Sequence, residues 1–85
     1  MRSINLIGTE VTLSGTATTV GNSILVRCVI ASGTALVTRS TGTSSPSVIG
    51  SCTVISSEPT YLFKDPGDTL TASGSVLASP ITFMY

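Results

Sequence analysis

Apolar and polar residues alternate with a period of two along most of the chain, and clusters of Gly, Pro, Asn and Ser interrupt the alternation. That period puts successive side chains on opposite faces of a strand, and no segment sustains the 3.6-residue apolar period of a helix. Strands are predicted at Ile4–Ile7, Glu10–Thr16, Ser23–Ala31, Thr34–Ser40, Val48–Ile55, Thr60–Lys64, Thr69–Ala72 and Val76–Tyr85. Seven or eight short strands separated by turn signals predict one all-β domain over residues 1–85, an antiparallel β-sandwich, with a small β-barrel or jelly roll as the alternative.

The charged residues orient the strands. Arg27 marks the solvent side of its run, which turns Ile24, Val26, Cys28 and Ile30 inward. Arg39 shares a face with Ala35 and Val37, with Leu36 and Thr38 opposite, and the pattern alone leaves open which of these faces is buried. Tyr61 and Phe63 share one face and Leu62 takes the other.

Gly21-Asn22 carries the signature of a two-residue hairpin with a type II′ turn. Asp65-Pro66-Gly67-Asp68 predicts a type II turn, with Gly67 at the position of positive φ. Residues 41–47 hold no apolar side chain and read as a loop. Pro80 lacks a backbone donor, which predicts an edge or bulged strand for the last run.

Composition sharpens this picture. Mean hydropathy is +0.51 and 41% of residues are hydrophobic, too apolar for a disordered tail despite 14 serines and 14 threonines. Four basic and four acidic residues leave zero net charge, so neither nucleic acid nor an anionic membrane is an expected partner. No run approaches a signal-peptide core or a membrane span, and the chain is expected to be a soluble protein. A nearly uncharged exterior suits association, including possible homo-oligomerisation.

The candidate chemistry is sparse. The sequence has no histidine, which excludes Ser-His-Asp and Cys-His nucleophiles and His-bearing zinc sites. Lys64, the sole lysine, sits beside Asp65 and reads as a strand-end ion pair or solvated charge rather than half of a Ser-Lys dyad. Asp65 and Asp68 flank a Pro-Gly turn, which explains them better than a calcium site. Cys28 and Cys52 read as reduced, hydrophobe-like thiols, with an inter-sheet disulfide as the alternative. No catalytic, cofactor or metal site is expected. The candidate partner contacts are Arg27, Arg39, Tyr61 and Tyr85. Arg2, Arg27 and Arg39 would form a basic patch if their strands were neighbours, and Tyr61, Phe63, Phe83 and Tyr85 read as core or edge packing.

The ordered set Thr19–Arg27, Ala35–Arg39, Ile49–Ser51, Tyr61–Leu70 and Ala78–Phe83 resembles short β-sandwich proteins encoded among the virion structural genes of tailed bacteriophages, marine cyanophage types in particular. The resemblance spans most of the chain, and Cys28, Cys52 and the loop at 41–47 depart from it. It implies a virion protein assembled in the host cytoplasm. The leading role is capsid decoration or cementing on the major capsid protein. A tail- or portal-associated part is a second role, and a glycan-binding module built on Tyr61 and the Asp65–Asp68 turn is a third reading of another class.

Overall fold

Eight strands form in the computed structural model, which describes residues 3–42 and 45–84. They are β1 (Ser3–Leu6), β2 (Val11–Leu13), β3 (Leu25–Val29), β4 (Thr34–Ser40), β5 (Val48–Ile55), β6 (Thr60–Phe63), β7 (Thr69–Ala72) and β8 (Val76–Met84). All pair antiparallel, in two sheets. One runs β1-β8-β3-β6 with β2 also on β8, and the other runs β5-β4-β7. The chain is a small β-sandwich of two antiparallel sheets, as the strand pattern predicts.

The interior is aliphatic. Val26, Cys28 and Ile30 of the larger sheet face Ala35, Val37 and Val54 of the smaller one, with Leu13, Leu70, Val76 and Ala78 filling between them. The buried face of β4 is therefore the Ala35 and Val37 side, and Leu36 is exposed. Arg27 lies on the outer side of β3 as expected.

Several local expectations are corrected. Ile24 is 51% exposed instead of inward, because β3 begins only at Leu25 and the alternation breaks before it, with Ser23 buried in Ile24's place. Gly21-Asn22 makes no hairpin, since β2 and β3 do not pair with each other. Three consecutive left-handed residues, Val20 (φ 52), Gly21 (φ 68) and Asn22 (φ 57), turn the chain there instead. A β-branched residue seldom tolerates that conformation; Val20 is held in it by a side chain buried in the core. The Asp65–Asp68 turn closes through Asp68 N–H to Asp65 O at 3.0 Å. Gly67 is not among the positive-φ glycines, so the turn is of the type I kind rather than type II.

The proline inference also fails, for a physical reason. β8 is the longest strand and pairs on both sides, with β3 on one and with β1 and β2 on the other. Pro80 sits where the partner changes from β2 to β1. Its carbonyl accepts from Ile7 N–H at 3.2 Å, and a strand residue's N–H and C=O point the same way. The missing donor therefore falls at the handover between two strands, where the ladder is already interrupted. Gly8 passes close over the ring here: a Cβ on it would lie 2.7 Å from Pro80 Cγ.

Candidate functional site

The chemistry-bearing side chains gather at the end of β6. Thr60, Leu62 and Lys64 share the inward parity of that strand, and Lys64 N–H extends its ladder to Ile24 O at 2.7 Å. Lys64 is 0% exposed, which corrects the reading as a solvated strand-end charge or an Asp65 ion pair. Its Nζ donates to three backbone carbonyls, Ser23 O at 2.7 Å and Asp65 O and Pro66 O at 3.3 Å each. Burial pushes its pKa below the usual lysine value; Asp68 works against that shift, Arg39 adds to it and Asp65 opposes it. The ammonium staples the turn after β6 to the segment before β3. Beside it the Ser23 hydroxyl is buried without a partner.

A second charged group lies at the mouth between the sheets. Arg39, on the inward parity of β4, reaches Asp68 Oδ2 with Nε at 2.8 Å and with Nη2 at 2.6 Å, and Asp65 Oδ2 at 3.6 Å. Its guanidinium carbon stands 6.0 Å from the centre of the Phe63 ring. The hydrogen bond from Arg39 holds the Asp68 carboxyl below the ordinary carboxylate value; burial opposes this and Asp65 N–H adds to it. The guanidinium occupies the place between the two carboxylates. Among the described residues no group of three or more His, Cys, Asp or Glu side chains comes together as a metal site.

Two grooves flank Phe63. The larger, of about 740 Å³, has Leu25, Pro80 and Ile81 beneath walls from Ile7, Ile24 and Phe63. Among the side chains described, Leu6 (68% exposed) and Phe63 (63%) are the most exposed large apolar ones of the larger sheet. The smaller groove, of about 180 Å³, opens between β5 and β6 over Val37, Cys52, Leu62 and Leu70. Cys28 and Cys52 are free thiols on the inner faces of opposite sheets. Burial, aided by Cys52, pushes the Cys28 pKa up to about 12, which keeps that thiol protonated and unreactive.

The candidate contacts divide. Arg27 and Tyr61 are register partners on the outer side of the larger sheet. Arg39 belongs to the other sheet and is paired with Asp68, so Arg27 and Arg39 form no basic patch. Arg2 and Tyr85 lie outside the described residues. Tyr61 and Phe63 are not core residues; they stand exposed on an edge strand. The sequence reading missed Lys64 as an interior group and Phe63 as the divider between grooves. The alternation of β6 carried the first signal, because position 64 follows 60 and 62.

No protein-family model, curated protein or solved structure matches the chain. The fold and site define its class: a small β-sandwich in which Lys64, Arg39 and Asp68 are held by internal bonds and large apolar side chains stand exposed both beside the larger groove and along β5.

Proposed function

We propose that the chain is a non-enzymatic structural protein of a virion, a capsid decoration or cement protein that seats on the major capsid protein. The observation that carries this reading is the exposed apolar set of Ile7, Ile24 and Phe63 on the larger groove, with Leu6 exposed in the same register row as Ile81, Leu25 and Phe63, in a chain with no net charge. Monomeric proteins seldom leave several large apolar side chains together in water, and such patches mark contact surfaces. Arg27 and Tyr61 lie along the same outer side and supply a polar border. Lys64 and Asp68 hold internal bonds, which leaves few charged groups for chemistry at the rim. The bacteriophage resemblance chooses the partner class.

Co-sedimentation with empty heads of the encoding virus tests the reading, with saturation at a fixed ratio as the expected result. Phe63→Asp and Leu6→Asp each weaken binding by about tenfold or more while the melting temperature holds. Binding confined to tails or portals would move the protein within the virion. Saturable binding to host glycans, with none to heads, would overturn the proposal in favour of an adhesion module.

A further inference from the structure

β5 runs along the outside of the three-stranded sheet for 8 residues. Leu36 of β4 gives its N–H to Ser73 Oγ at 2.8 Å and its C=O to Ser73 N–H at 2.9 Å, both on the β7 side. Its opposite neighbour Thr53 is therefore not bonded to it, and the N–H and C=O of Thr53 point out of the sheet. The same alternation turns the backbone groups of Ser51 and Ile55 outward. Natural sheets guard such an edge with Lys, Pro or a bulge. Here the bulge falls at Arg39/Ser40 and leaves positions 51–55 in regular register. From Ser40 to Ser57 the sequence holds no charged residue, and its one proline is Pro46 in the loop.

We propose that β5 is a self-association edge, which pairs antiparallel across a two-fold axis with β5 of a second copy of this chain. A two-fold brings each side chain close to its own copy, so a charged edge repels itself, while the uncharged run from Ser40 to Ser57 meets itself without penalty. Pairing centred on Thr53 uses only the regular part of the strand. Thr53 then faces Thr53, a favourable cross-strand pair, and Ser51 faces Ile55 on either side of the axis. On the core side Cys52 meets Val54, which adds apolar cover to the half-buried Cys52 that lines the smaller groove. The product is one continuous sheet, β7-β4-β5-β5-β4-β7.

The contact is small. An interface that stays well below ~1,000 Å² makes this a weak, transient dimer that fills only at high concentration. The inference concerns the isolated protein and stands or falls separately from the virion reading.

Sedimentation equilibrium and amide exchange across a concentration series, up to about 1 mM, test it. The expected result is a monomer–dimer equilibrium in which the Ser51, Thr53 and Ile55 amides become protected as the dimer fills. Thr53→Pro removes an N–H that β4 does not use, and weakens association by at least about tenfold with the fold intact. Thr53→Lys is the second variant, should proline disturb the strand, and has the same expected effect. A wild-type chain that stays monomeric at the highest concentration overturns the proposal. So does a dimer that both variants leave unweakened, or one in which these three amides exchange as freely as in the monomer. Protection that arises only when capsid protein is added would assign the edge to a different chain and equally overturn the second-copy inference.

Discussion

The two edges of the three-stranded sheet are treated in opposite ways. Along β7 the segment after β2 covers the edge: Thr18 exchanges bonds of 3.2 and 2.8 Å with Leu70, and Ser14 O accepts from Ala72 N–H at 2.8 Å. That segment then buries Val20 and turns left-handed into Ser23, whose carbonyl is fixed by Lys64. Along β5 nothing among the described residues continues the ladder, and Val48, Ile49 and Ile55 are exposed. Both edges are poor in charge. The difference lies in burial, since one edge is sealed by side chains of the core and the other is left with unspent backbone groups and apolar surface. The core contacts and the edge proposed for self-association thus occupy different sides of one sheet.

The largest test of this contrast removes a buried contact from the closed side. Leu70 is 1% exposed at the point where the covering segment pairs with β7. Leu70→Ala costs about 2–5 kcal/mol by loss of transfer energy and by the cavity it leaves. Val48→Ala on the open edge, where the side chain is 70% exposed, changes stability by less than about 0.5 kcal/mol. Urea unfolding of dilute protein measures both, and equal costs would remove the distinction between the edges.

A smaller change tests the staple behind the closed edge. Lys64→Met keeps most of the volume but takes the ammonium from the Ser23 and Pro66 carbonyls, and from Asp65 O, which keeps the Asp68 N–H, at an expected cost of about 1–3 kcal/mol. The pH dependence gives a second signature. Burial lowers the Lys64 pKa from its ordinary 10.5, so the folded chain sheds this proton before the unfolded chain does. Stability from this group therefore rises with pH between the folded value and 10.5, and the methionine variant lacks that rise. A variant as stable as the parent, with the same alkaline profile, would show that the ammonium holds nothing together.

These features mark how far the sequence could be read. The strands at Thr34–Ser40, Val48–Ile55 and Thr69–Ala72 fall on the predicted residues, because alternation and flanking turn residues agree there. The sandwich follows from the same pattern. Pro80 misled because local chemistry says only that a donor is missing, while tertiary pairing decides which way that gap points. Gly21-Asn22 misled because the left-handed conformation was real but extended to Val20, which a hairpin does not need and a buried side chain enforces. Lys64 was misjudged by its charge: the strand period placed it inward, and carbonyls from distant segments, invisible to local reading, compensate its burial. Arg39 and Arg27 resembled each other in sequence and fell in different sheets, since pairing order is not written in either strand alone.

The mildest test works on the open side. Arg39 and Asp68 tie the end of β4 to the turn before β7, beside Phe63 and at the mouth of the smaller groove. The Asp68 carboxyl is held below its ordinary 3.8 by the Arg39 hydrogen bond. A folded value below the unfolded one means that the stabilisation is present above about pH 4 and is lost as pH falls through the folded value. Acid titration should therefore release the mouth first, with amide exchange quickening at Arg39 and in the 65–68 turn while the Leu70 and Ala72 amides, bonded to the Ser14 to Thr18 cover, stay protected. Asp68→Asn removes the acid step attributable to this residue. The effect ranks last because the rim is partly wet, with the Arg39 side chain 25% exposed, and water screens such a pair. Acid loosening that begins at the closed edge instead would mean that the two edges are held by the same interactions, and the contrast drawn between them would fail.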